Sequence, residues 1–289
     1  MKPYLAVILA ASFGGFVGVL AKWTQVPALT ASFMRLIIPA TVLFIYLKLI
    51  KKQKLLKPNW KWMSLGSLLN AVRIFFYFLA WLYIPVSKGI ILLYLFPIFF
   101  TAFGMIFLKE KLNLKTALLI LLAFVGTFLV YYQPNLNFSS KETIGALAML
   151  AEAIIFSLAM IIFKKQGTQY SEVETVFWQN IVGGLALIPI IIFTGLNAPI
   201  KNVLTIGLYT GVITGLIGFL LFFYGLKRLK TSHYSLMTYF EVVAGMIFAV
   251  WFLKETLTFN MAFGDLMIIA AGIGLILLKQ TTNKNIQKN

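Results

Sequence analysis

Apolar side chains fill this chain in runs of roughly 20 residues, the length of helix that crosses a bilayer. Short polar stretches carrying Lys, Gly, Pro and Asn separate the runs. Ten can be drawn, at 4–22, 28–48, 63–83, 87–107, 114–132, 143–163, 174–194, 203–226, 233–253 and 260–279. No connection is long enough to hold a soluble domain, and the tail after Lys279 is polar and short. The pattern predicts an all-α integral membrane protein of ten transmembrane helices.

The runs repeat. Leu108-Lys109-Glu110 recurs as Leu253-Lys254-Glu255, Ser87 as Ser232, Tyr94 as Tyr239 and Leu112 as Leu257, all at a spacing of 145 residues without a gap. Five spans fall in each copy, 1–135 and 143–280, and 281–289 is left as a polar tail. An odd number of spans turns the second copy upside down relative to the first, an arrangement that builds many secondary transporters.

Charge tests this division. With the N-terminus on the cytoplasmic side, 18 of the 25 Lys and Arg fall in cytoplasmic segments, 5 on the opposite side and two inside spans. That asymmetry follows the positive-inside rule and puts both termini in the cytoplasm. The formal charge of +17 therefore reads as membrane topology and not as a nucleic-acid-binding face. Met1-Lys2-Pro3 and the apolar run behind it read as an uncleaved first span, because further spans follow at once and no small-residue cleavage site ends a short apolar region.

Composition narrows the chemistry further. Hydrophobic residues make up 61% of the chain and charged residues 11%, against about a quarter charged in soluble domains. Mean hydropathy is +0.92. Cysteine is absent, and one His and eight acids leave little from which to build a metal cage, so no metal or other cofactor is expected. Clustered His, Asp or Cys at an interface, as in membrane enzymes acting on lipids, is missing, and so is any phosphate-binding glycine loop.

Four ionisable residues fall near mid-span: Arg35, Arg73, Glu152 and Glu241. A charge there costs at least about 2.5 kcal/mol, so each must face protein or water. One reading pairs them within the bundle. The other makes them a polar site at mid-membrane depth, where substrates of inverted-repeat carriers bind. Asn70, Arg73, Tyr77 and Trp81 share a helical face, as do Ser32, Arg35 and Pro39, and Tyr234, Thr238, Glu241 and Gly245. Trp178, Gln179 and Asn180 form a polar cluster, and Asn180 is the repeat mate of Arg35. Lys88, His233 and Asp265 lie nearer span ends and are expected at the interface. Lys109 with Glu110, and Lys254 with Glu255, read as local pairs anchoring a turn. The stripe Gly207, Gly211, Gly215 and the pair Gly14, Gly18 permit close helix packing, within one subunit or across a dimer. Pro39 and Pro97 inside spans predict bends.

Several of these residues resemble the EamA branch of the drug/metabolite transporter superfamily. Pro27 to Arg35 is similar to its first-repeat signature. So is the stretch from Ser87 through Tyr94-Leu95-Phe96-Pro97 to Phe107-Leu108-Lys109-Glu110. In the second repeat, Tyr239-Phe240-Glu241 followed by Phe252-Leu253-Lys254-Glu255 resembles the family's Tyr-x-Glu-Pro…Leu-Gly-Glu run. Val242 stands where the family usually has proline, and Lys109 and Lys254 where glycine is common. The resemblance covers essentially the whole chain. It implies a ten-helix carrier of small metabolites working by alternating access.

The leading expectation is thus a secondary transporter, not an enzyme, in the cytoplasmic (inner) membrane of a bacterium. It would move, in the direction of export, a small polar or zwitterionic metabolite, with amino acids and related compounds first among candidates. Substrate-binding candidates are Arg35, Asn70, Arg73, Tyr77, Tyr94, Trp178, Asn180, Tyr239 and Glu241. Glu152 and Glu241 are candidates for proton coupling. The alternative cargo is an organic cation or a lipid-linked precursor. Expected partners are the small-molecule substrate and membrane lipid, with no nucleic acid, and the carrier is a monomer or homodimer.

Overall fold

Long runs of Leu, Ile, Phe and Ala without interior Gly–Pro punctuation leave the backbone no better way to satisfy its polar groups in an apolar medium than helix. The computed structural model describes residues 2–84, 86–132, 140–254 and 256–286, and every regular element among them is helical. In chain order these are α1 (Pro3–Gly15), α2 (Val17–Thr24), α3 (Ala28–Phe44), α4 (Trp60–Tyr83), α5 (Val86–Leu93), α6 (Phe96–Leu108) and α7 (Leu114–Tyr131). The second half holds α8 (Ser140–Gln166), α9 (Glu172–Thr194), α10 (Ile200–Gly207), α11 (Phe219–Arg228), α12 (Thr231–Thr238), α13 (Phe240–Leu253) and α14 (Phe259–Ile286). Wide i→i+5 turns extend α3 through Ile45–Ile50 and join α10 to α11 through Leu208–Gly218.

Nine rods among the described residues are long and apolar enough to cross a membrane, from Pro3–Leu20 to Phe259–Leu278. The 24-residue α4 is about 36 Å long at 1.5 Å per residue. It brings Ser67, Asn70 and Arg73 into the bundle, all three buried.

The 145-residue spacing is visible in three dimensions. Three of the five pairs of repeat-mate rods pack on one another and run antiparallel. Between α3 and α9, Thr30 bonds the Leu196 carbonyl, Gly184 faces Ile37 and Phe44 meets Phe177. Between α7 and α14, Gly126 faces Gly264 and Ile268, while Gly274 faces Leu119. Ala123 and Ile268, themselves repeat mates, are fully buried at that crossing. Between α5–α6 and α12–α13, Tyr94 stacks on Tyr239 with centroids 5.7 Å apart, and Thr101 bonds Ser235. Non-mate contacts come in swapped pairs: α4 packs on α8 as α11 packs on α1, and α6 on α8 as α13 on α1. Two copies related in this way are inverted.

Two rods break at repeat-related points. α5 gives way to α6 at Tyr94–Leu95, and α12 to α13 at Tyr239. Pro97 therefore stands in the first turn of α6, where its missing N–H costs nothing, and not inside a helix. Its repeat mate is Val242, so the second break forms without proline. Pro39 does lie inside α3.

The glycine stripe packs within the chain. Gly207 meets Met34, Gly211 meets Ile38, and Gly215 lies against the Arg35 carbonyl and Pro39. On α1 the close approach belongs to Gly14 and Gly15, both against α13, whereas Gly18 has open space around it. Lys109 and Lys254 end α6 and α13 in the left-handed conformation, at φ 54° and 57°, which explains why glycine suits those positions.

Candidate functional site

The four mid-span charges converge, but they are not equivalent. On α4, Arg73 donates from Nε to Asn70 Oδ1 at 3.0 Å and from Nη1 to Glu152 Oε1 of α8 at 2.7 Å. Its guanidinium also lies over the Phe156 ring at 4.1 Å. Asn70 in turn donates to the Gln179 carbonyl of α9 at 2.8 Å. Arg73 is 9% exposed and Glu152 fully buried. This ion pair locks α4 to α8 and, through Asn70, to α9.

Arg35 is placed differently. Its guanidinium rests over the Phe219 ring at 4.6 Å, and its Nη1 is buried without a hydrogen-bond partner. It forms no ion pair with a described carboxylate. Arg73, Tyr77 and Glu241 are its electrostatic neighbours. Glu241 occupies the first turn of α13, where the helix N-terminus favours negative charge, and it accepts a hydrogen bond from the Tyr94 hydroxyl. Its carboxylate lies against Gly14, where a Cβ would come within 2.6 Å of Oε1. The Tyr239 hydroxyl donates to the Tyr94 carbonyl at 3.0 Å, so the two repeat-mate tyrosines brace the wall from which Glu241 projects.

On α9, Trp178 and Asn180 are buried. Asn180 donates to the Val176 carbonyl at 2.7 Å. Its Oδ1, the Trp178 Nε1 and both side-chain polar atoms of Gln179 have no partner, and neither does Glu152 Oε2. Buried polar groups are almost always bonded. This concentration of unmet capacity around the centre of the bundle has the chemistry of a site for a polar guest.

The sequence-derived set of Arg35, Asn70, Arg73, Tyr77, Tyr94, Trp178, Asn180, Tyr239, Glu241 and Glu152 thus falls on the central helices α3, α4, α8, α9, α12–α13 and the α5–α6 junction. Sequence reasoning did not single out Phe219 or Phe156, and it read Gly14 as a packing residue without placing it at the site. The two Phe are hidden among 27, and the role of Gly14 depends on a helix 227 residues away.

Three peripheral expectations change. Asp265 is not at an interface: it is 4% exposed, with neither carboxylate oxygen bonded. His233 is half-buried and bonds the Tyr4 hydroxyl at 2.7 Å, tying α12 to α1. Glu110 does not pair with Lys109. It accepts from the Thr231 backbone N–H and hydroxyl at the start of α12, at 2.6 and 2.9 Å, and meets Lys164 at 3.4 Å. The side chains of Trp81, Ser87 and Lys88, and Glu255 as a whole, lie outside the described residues.

An all-helical bundle of antiparallel repeat mates around a buried polar centre defines a multi-pass integral membrane protein of the transporter kind. The chain belongs to the EamA-like transporter family, whose model matches it twice, over residues 1–132 and 143–278. It is similar to the uncharacterized transporter YoaV of Bacillus subtilis (strain 168), 24% identical over 277 residues that cover 93% of this chain and 94% of that one. An uncharacterized transporter of Archaeoglobus fulgidus is 23% identical over 265 residues, covering 92% and 93%. A crystal structure shares the fold with a TM-score of 0.79 at 19% identity, covering 97% of this chain and 98% of that one.

Proposed function

We propose that the protein is a secondary carrier with ten spans and cytoplasmic termini. It moves a small zwitterionic metabolite, an amino acid or close relative, by alternating access between its two five-helix repeats, and it performs no covalent chemistry. The observation that carries this reading is the contrast between the charge pairs. Arg73 and Glu152 neutralise one another, while Arg35 has an unbonded guanidinium nitrogen, and Glu241, its electrostatic neighbour, accepts from the Tyr94 hydroxyl and forms no ion pair with a described residue. A molecule with a carboxylate at one end and an ammonium at the other satisfies both. The substrate clamp is accordingly Arg35 and not Arg73, and Glu241 holds the ammonium or, when the site turns over, a proton.

The test is thermal unfolding of the purified protein against amino acids, quaternary amines, nucleotides and sugar phosphates. A ligand at 100 times its Kd stabilises the folded state by about 2.7 kcal/mol. Stabilisation by amino acids that is lost in Arg35→Gln supports the assignment. Stabilisation by quaternary amines alone, undiminished in Arg35→Gln, refutes it and makes the cargo an organic cation.

A further inference from the structure

The segment joining α3 to α4 is unlike every other connection in the chain. Between residues 48 and 61 it carries six lysines, Lys48, Lys51, Lys52, Lys54, Lys57 and Lys61, and no acid; the first Asp or Glu anywhere in the chain is Glu110. Lys57 is committed to Glu174 at 2.6 Å. The other five are exposed. Lys51 lies 5.9 Å from the Tyr46 ring, and none of the five forms an ion pair with a described residue. Between them, Leu49, Ile50, Leu56, Trp60 and Trp62 are also exposed.

The segment is held in shape. Gln53 N–H donates to the Leu47 carbonyl and Trp60 N–H to the Lys57 carbonyl, while Asn59 Nδ2 donates to Gln169 Oε1 at 3.1 Å. It is continuous with two membrane-length helices, so the exposed Trp and Leu side chains belong at the boundary between headgroups and acyl chains, where amphipathic aromatics concentrate. The lysines then stand at the depth of the lipid phosphates.

We propose that this segment is a binding surface for anionic phospholipid headgroups, with Lys48, Lys51, Lys52, Lys54 and Lys61 supplying the charge and Trp60 and Trp62 the anchorage. Positive charge is spread over several loops of this face, but among the described residues only this segment interleaves five unpaired, exposed lysines with exposed aromatics. The occupant is fixed by charge complementarity and by the bilayer position of the flanking helices. A soluble anion would satisfy the lysines and gain nothing from the tryptophans.

The experiment compares phosphatidylglycerol with phosphatidylcholine, added at equal mole fraction to the full-length protein in neutral detergent. Lipid retention is read by native mass spectrometry and stability by thermal unfolding. One variant carries all five lysines as Gln. A matched variant carries Lys109, Lys111, Lys115, Lys165 and Lys230 as Gln, five exposed cations of the same face. Each lysine near an anionic surface contributes about fivefold to binding. The expected result is selective retention of phosphatidylglycerol, a higher unfolding midpoint, and at least about a tenfold loss of that selectivity in the first variant only. Equal losses in both variants, or equal retention of the two lipids by the unaltered protein, would overturn the proposal. So would a midpoint shift of the same size from inorganic phosphate, which would make the lysines a site for free anions.

Discussion

The two ends of the bundle are related by the repeat, yet among the described residues they are tied by different contacts. At one end Lys57 donates to the Gln169 carbonyl at 3.5 Å. At the other, its repeat mate Asn202 donates to the carbonyl of Thr24, the repeat mate of Gln169, at 3.0 Å. The geometry is shared and the charge is not. Around Lys57 the closure is ionic: Lys57 with Glu174, Arg228 with Glu172 at 2.6 Å, and Glu110 with Lys164. Lys164 also donates to the Leu226 and Leu229 carbonyls. Around Asn202 the described contacts are aromatic, with Phe16 meeting Trp23, Tyr209, Phe248 and Phe252 edge-on; the Lys22 side chain and Glu255, the repeat mate of Glu110, lie outside the described residues. The lesson is that an internally symmetric scaffold can place different side chains at its two mouths without altering the helices between, and in the carrier proposed above such a difference would bias one end state.

The largest expected effect comes from removing the ionic closure at its buried end. Glu110→Ala strips the Thr231 amide and hydroxyl of their acceptor and leaves Lys164 without its carboxylate. Loss of about 2–3 kcal/mol is expected, measurable as a lowered thermal midpoint. Asn202→Ala, at the other mouth, removes one neutral hydrogen bond and should cost no more than about 1 kcal/mol. Equal losses would erase the contrast.

Next in size is a shift of population rather than of stability. Because the chain lacks cysteine, a single Cys introduced near either mouth can be labelled without background. Lys57→Met with Glu174→Gln should raise labelling behind the ionic mouth about fivefold, the equivalent of roughly 1 kcal/mol for a partly exposed pair. Salt should mimic the variant at that mouth. Unaltered labelling would mean that the pairs decorate a closure made by packing.

A sharper form transplants the charge. Leu29 is the repeat mate of Glu174, so Leu29→Glu with Asn202→Lys builds the Lys57–Glu174 tie at the other mouth. Labelling behind that mouth should fall while the original mouth becomes easier to open. A change confined to the altered mouth would argue that the two do not communicate.

The smallest effect tests the left-handed helix ends. Lys109→Gly and Lys254→Gly should each stabilise by about 1 kcal/mol or less, since glycine takes positive φ without the Cβ penalty. A loss of stability at both would show that the lysine side chains matter more than their backbone strain.

Much of this was legible in the sequence. Helix-length apolar runs fixed the rods to within a few residues, because in an apolar medium burial and backbone satisfaction ask for the same element. The 145-residue register paired Tyr94 with Tyr239, but that these two mates touch came from the structure. The breaks at Phe16 and Tyr239 were not legible, since neither has a proline or a Gly–Pro pair to mark it. Which acid neutralises which arginine was hidden as well. Arg73 finds Glu152 because α4 packs antiparallel on α8, and helix spacing along one chain carries no record of that neighbour. Asp265 was misplaced because distance from a span end says nothing about which side of a helix a partner covers.

The Tyr94–Tyr239 stack has one further consequence. It lies where the two copies map onto each other, so a carrier that works by trading the shapes of its halves also trades the surroundings of these two rings. Each half-cycle would exchange their magnetic environments, as if the residue labels were swapped. Two resonances, one from each tyrosine, would then merge when turnover is fast and separate when the carrier is trapped at either end. The pair is in effect a built-in clock for the cycle, readable without knowing the cargo.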